Sequence, residues 1–308
     1  MAKEDGVSFS EEDLAAVLGN AVSHVANEML VLAQYERLQE GLFPYLWPAI
    51  DNGEFDLRMN RVVRHMGGPP EAHLVRKDEI APLADKYPES SMAEVFDVFK
   101  RARKSVIRAH MFMTGSRLLT EQPELLEWPP HPKATVLLTK DAQLAFWEHA
   151  EAAYIRLFSF WDRIGQVLDF TFFNIRKFDQ NGFNAVMTRI HTNVVKMNKQ
   201  LEESDSWRRL RTFQTSEKDD GLQFLLQRRN LLVHSLHLHP LKIDEEDVFK
   251  SQFNHLHAAH RERLRPRSPE GEVEILTAQL NRTTNLFSDF LNLVQLSPSR
   301  TPSLPSKK

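Results

Sequence analysis

An all-α fold is what this sequence predicts, and three observations predict it. Glycine is scarce, at 11 of 308 residues. Strict apolar–polar alternation, which a half-buried strand needs, is rare along the chain. Apolar residues recur instead at steps of three and four, the period of a helix face. The organisation read from these patterns is an N-terminal helical region over 1–130, a helical bundle over 139–296 and a tail over 297–308.

Each element has a local reason. Ser10 precedes Glu11, Glu12 and Asp13, so acids fill a first helical turn where the helix dipole favours them, and a helix is predicted to about Gln39. Pro44, Pro48, Gly53, Gly67, Gly68, Pro69, Pro70 and Pro82 break 41–88 into loop with short helices. Ser91 and Glu94 have capping-box spacing and open a helix to about Leu119. Pro123, Pro129, Pro130 and Pro132 mark a connector and the first domain boundary.

Thr139 and Asp141 then open the longest helix, to about Lys177. Its apolar stripe runs through Phe146, Ala150, Ala153, Leu157, Phe160, Trp161, Ile164, Val167, Leu168 and Thr171. A helix over 183–203 and a short segment over 207–211 follow. Ser216 to Asp219 cap the next helix, which carries QRRNLLVHSLHLHP at 227–240. Two helices finish the fold, over 244–264 and 270–296, the second with Ser268 as N-cap and Pro269 in its first position. The tail SPSRTPSLPSKK is rich in Pro and Ser and is expected to lack fixed structure.

Composition narrows the function classes. There is no cysteine, which excludes disulfides, thiolate zinc sites and a cysteine nucleophile and suits a reducing, cytoplasmic setting. The net charge of -3 means that any polyanion site must be a local basic patch. No apolar h-region opens the chain, and no uninterrupted apolar run has the length of a membrane span, so no membrane partner is expected. Walker, GxGxxG, HExxH and GxSxG patterns are all missing, which leaves nucleotide-loop, dinucleotide, zinc-protease and serine-hydrolase readings without support.

The chemistry concentrates in 222–234. On a wheel with Leu222 at zero and about 100° per residue, Arg229 falls at about -20°, among Leu225, Leu226, Leu232 and Val233. Arg228 falls on the opposite side with Phe224 and Leu231 and reads as a surface residue; His234 falls at the stripe's edge. A guanidinium does not escape burial by losing its proton, so Arg229 needs an internal carboxylate, backbone carbonyls to cap, or a wet cleft where an anion binds.

Arg229-Asn230 followed three residues later by His234 resembles the signature of the HEPN superfamily of helical proteins, many of which are ribonucleases. The long helix FWEHAEAAYIRLFSFWDRIGQVLDF resembles the one that precedes the motif in such domains, and the resemblance covers about 139–296. It implies a dimer whose two motifs meet in one composite site and cut RNA without metal or other cofactor. It implies Arg229 and His234 as the catalytic pair, with Asn230 in the polar position. It further implies a toxin or defence effector, with an inhibitory partner protein as one form of control. The alternative is a non-catalytic helical module that dimerises or binds RNA or nucleotide through the same face.

Other candidates are weighed beside this one. Arg156 and Arg163 lie seven residues apart on one edge of the long helix, with His149, and are candidate substrate contacts together with Arg228. Snorkelling at the edge of a buried face is the favoured reading of the three on the long helix. Asp162 is a carboxylate that could partner a buried Arg. His234, His237 and His239 could ligate a metal, but a cationic helix end before Pro240 is the simpler reading, and no metal site is assigned. The basic runs WRRLR and RERLRPR could hold a phosphate backbone, but nearby acids favour ordinary solvated surface. Looser Arg-to-His spacings at Arg58 and His65, and at Arg103 and His110, receive no function.

Overall fold

The computed structural model describes residues 11–47, 52–67, 86–126, 128, 130–175, 182–234, 257–258, 265 and 267–297. Among the described residues every regular element is a helix, as expected from the sequence. The main helices are α1 (Glu11–Leu38), α2 (Asn52–Gly67), α3 (Tyr87–Glu121), α4 (Pro132–Phe173), α5 (Phe183–Asn193), α6 (Lys199–Glu202), α7 (Asp205–Thr215), α8 (Leu222–His234) and α9 (Pro269–Gln295). The helix expected over 244–264 and the tail after 297 lie outside the described residues, apart from single positions.

The chain divides into two compact units, Met1–Phe43 and Pro44–Lys308. In the first, Leu18, Val22, Val25 and Met29 of α1 are exposed. Its stretch Ala15–Leu38 is long and apolar enough to cross a membrane by length and composition alone. The sequence reading found no such span because Asn20, His24, Asn27 and Glu28 interrupt the apolar run. A carboxylate at mid-span costs about 3 kcal/mol, which offsets six or so residues of the Val/Leu class.

The second unit is organised on α3 and α4, the two longest helices. Contacts between them run in opposite order along the two helices. Arg163 Nε meets Glu94 at 2.9 Å, the rings of Phe99 and Phe160 lie 5.6 Å apart, Arg156 donates to Ser105 Oγ, and Phe112 stacks on His149. The helices are therefore an antiparallel hairpin, and the proline-rich connector at 122–131 is its turn. The boundary drawn near residue 130 thus falls inside Pro44–Lys308.

α9 lies against α2, α3, α4 and α7 and supplies much of the core, with Leu276, Leu280, Phe287, Phe290 and Leu291 buried. Its start is the one anticipated: Ser268 Oγ accepts the Gly271 N–H at 3.3 Å and Pro269 opens the helix. α4 begins earlier than Thr139, because His131 Nδ1 accepts the Lys133 N–H and Pro132 pre-sets the first turn. An aromatic cluster joins α4, α5 and α7, with the Trp161 ring 4.9 Å from Phe183 and 4.4 Å from Phe213.

The approach of α5 to α4 depends on a glycine. A Cβ at Gly165 would lie 2.6 Å from the backbone nitrogen of Phe183, so only glycine lets the start of α5 rest on α4 there. That contact sets the position of the cleft described next.

Candidate functional site

α8 rests on α4 through the face formed by Leu222, Phe224, Leu225, Arg228 and Leu231, all buried. This corrects the wheel. The buried direction is centred on the side that holds Arg228, so the surface and substrate-contact reading of Arg228 is overturned. Its side chain is 0% exposed, and Nη2 donates to Glu272 Oε1 of α9 at 2.8 Å. Glu272 also accepts the Tyr154 hydroxyl at 2.6 Å and the Arg267 backbone N–H at 2.8 Å. Burial, then the Glu272 carboxylate, push the Tyr154 hydroxyl well above its ordinary range, so it stays a proton donor to Glu272. The wheel misjudged Arg228 because hydrophobicity alone does not reveal a carboxylate 44 residues further along the chain.

Arg229 is half-buried and faces a cleft of about 530 Å³. Its guanidinium carbon sits 5.5 Å from the centre of the Phe158 ring, and Nη1 donates to Asn230 Oδ1 at 3.0 Å. No carboxylate among the described residues forms a salt bridge with it. Asn230 is exposed. His234 ends α8, but its side chain lies outside the described residues, as do His237 and His239.

The opposite wall comes from α4 and the N-terminus of α5. Phe158, Asp162 and Gln166 line it from α4, and Phe183 and Asn184 from α5. Asp162 accepts the Phe183 backbone N–H and so satisfies a helix end that its own N-cap, Gly182, cannot. A Cβ at Gly182 would stand 2.6 Å from Asp162 Oδ1, so a side chain there would push that carboxylate aside. Burial pushes the Asp162 carboxyl up to about 6, against the opposing pull of the Phe183 N–H, Arg229 and Arg163. Near neutral pH it is ionised, and its charge is poorly solvated.

Arg156 and Arg163 do not line this cleft. Arg156 turns to α3, onto Ser105 and the Arg101 carbonyl. Burial, with Arg108 and Arg101 close by, pulls its guanidinium below the ordinary range. Arg163 bridges Glu94 and Gln166 Oε1. In the run 207–211, Trp207 is buried, and Arg209 grips Asp289 through two hydrogen bonds of 2.8 and 2.6 Å. These contacts tie helices together rather than snorkel into solvent, and none of these three arginines lines the cleft.

Sequence reasoning passed over Asp162 as a cleft residue. It sits beside the apolar stripe of α4, and the cleft arises only when α5 folds back. Gly165, an unexplained glycine inside a strong helix pattern, was the one local signal of a close approach.

Fold and site together define an all-helical bundle with one cationic side chain directed into a partly aromatic cleft. The chain matches no family model, no curated protein and no solved structure.

Proposed function

We propose that this chain is a HEPN-like endoribonuclease that cuts RNA through the RNA's own 2′-OH. One observation carries the reading. Of the two adjacent arginines, Arg228 has an internal carboxylate, whereas Arg229 faces the cleft and bonds only its neighbour Asn230 among the described residues. A structural arginine would have an internal carboxylate, as Arg228 does in Glu272.

In this mechanism His234 exchanges protons with the 2′-oxygen or the leaving 5′-oxygen, the general acid–base role an imidazole most often takes. Arg229 neutralises the charge that builds on the non-bridging phosphate oxygens. The 2′-oxygen bonds to phosphorus, the P–O5′ bond breaks and the 5′-oxygen leaves with a proton. The products are a 2′,3′-cyclic phosphate and a 5′-hydroxyl. Two chains brought together at this face supply one acid and one base, so the reading includes a homodimer. A toxin or defence role under an inhibitory partner, in the cytoplasm and away from membranes, belongs to the same proposal.

The test is incubation of the purified protein with RNA and with matched DNA in EDTA. RNA cleavage with cyclic-phosphate ends, no DNA cleavage, and a loss of at least about a hundredfold in both Arg229→Ala and His234→Ala are expected. Parent-level cleavage by His234→Ala, or equal cleavage of DNA, would falsify the 2′-OH mechanism.

A further inference from the structure

The polar lining of the cleft reaches beyond what a phosphate clamp needs. Arg229 alone accounts for an anion. Asp162 opposes one, yet it lines the same cavity. Capping of α5 occupies one acceptor position of its carboxylate, and an ionised carboxylate offers about four. The remaining positions belong to a partly desolvated group that gains from N–H donors arranged side by side. Phe158 adds an aromatic ring to the same wall, and Asn184, whose Oδ1 accepts from Gln214 Nε2 at 2.8 Å, stands exposed at its rim. A volume of about 530 Å³ leaves ample room for a purine with its ribose.

From this arrangement we infer that the cleft is a base-reading pocket that takes a guanine nucleotide, with Asp162 as the specificity residue. The inference rests on the ribonuclease reading for its substrate class. Proteins read single-stranded RNA by stacking splayed bases on aromatic or guanidinium planes and bonding their Watson–Crick edges. Guanine alone presents two adjacent donors, N1–H and N2–H, on that edge, and a carboxylate accepts both. Adenine and cytosine each place an acceptor nitrogen against the carboxylate. Uracil offers a single N–H flanked by two carbonyl oxygens. Arg229, over Phe158, then holds the phosphate attached to the bound nucleoside.

The experiment is calorimetric titration of the full-length protein with 5′-GMP, 5′-AMP, 5′-CMP and 5′-UMP. GMP is expected to bind at least about tenfold more tightly than the other three. Asp162→Asn is expected to abolish the GMP preference and to strengthen AMP and CMP relative to it, because an amide donates to adenine N1 or cytosine N3 and accepts from the neighbouring amino group. Asp162→Glu, which keeps two acceptors, retains GMP in first place and separates loss of the carboxylate from loss of the fold. Equal binding of all four nucleotides, no binding of any, or an unchanged GMP preference in Asp162→Asn overturns the proposal. Ranked binding without RNA cleavage supports the pocket and counts against the ribonuclease reading. Cleavage without any ranking does the reverse.

Discussion

Arg228 and Arg229 are adjacent in sequence and about 100° apart around α8, and that angle separates a buried ion pair from a cleft-facing cation. Breaking the pair is the more costly event for the fold. Arg228→Met leaves Glu272, itself fully buried, with the Tyr154 hydroxyl and the Arg267 N–H as its partners among the described residues, and an uncompensated buried carboxylate costs about 3–5 kcal/mol. Adding Glu272→Gln removes the charge while keeping an acceptor, so the double variant should recover much of the loss. Urea denaturation of both single variants and the double measures this. A loss under about 0.5 kcal/mol in Arg228→Met, the range of ordinary surface changes, would show that the pair contributes nothing. The same two residues show what was legible at this scale. The resemblance picked Arg229 and His234 from their spacing; Arg229 lines the cleft, and the His234 side chain lies outside the described residues. The environment of Arg228 was not legible, because its partner sits on α9 and only the folded chain joins them.

Helices were legible where their signals are local. Ser268 and Pro269 define the start of α9 through contacts within one turn, and they do so in the structure. The expected start of α4 was late, since His131 is not a residue one reads as a cap. The helix expected over 183–203 is broken into α5, a short 3-10 turn at Val195–Met197 and α6, where Asn198 caps anew by accepting the Leu201 N–H. What no helix reveals alone is the distance to its neighbour, and two glycines test that scale. Gly165 sits where α5 touches α4, with Phe183 backbone atoms 2.6 and 2.7 Å from a would-be Cβ. Gly115 of α3 has nothing within 4 Å. In an open helix, Gly→Ala gains about 1 kcal/mol of propensity. Gly115→Ala should therefore raise the thermal midpoint. Gly165→Ala must displace backbone rather than a side chain, and overpacking of about 1–3 kcal/mol outweighs that gain. Its midpoint should fall. Shifts of the same sign in the two variants would refute the close approach that positions Asp162 and the cleft.

At the scale of the molecule, the sequence placed a boundary in the proline cluster near residue 130, because prolines there end one helix and begin another. The same cluster serves equally well as the turn of a long helical hairpin, and only packing decides between the two. Met92, Val95, Phe99, Val106 and Ile107 of α3 are buried, as are Leu157, Phe160 and Ile164 of α4, the helix it packs along. Each such side chain contributes about 1.5–3 kcal/mol when fully removed from water. Uncovering even the three on α4 removes an amount comparable to the whole stability of a typical domain, about 5–15 kcal/mol. A chain of residues 132–308 should therefore aggregate or lack a cooperative transition, although it contains every residue of the proposed site. A chain of residues 44–308 keeps the second unit entire. It should remain soluble, unfold in one transition and bind nucleotides as the full-length protein does. Expression of both, followed by calorimetric melting, separates the two boundaries. A soluble, cooperatively folding 132–308 would place the boundary at the prolines after all, and α3 would then be a neighbour of the cleft-bearing bundle rather than part of its core.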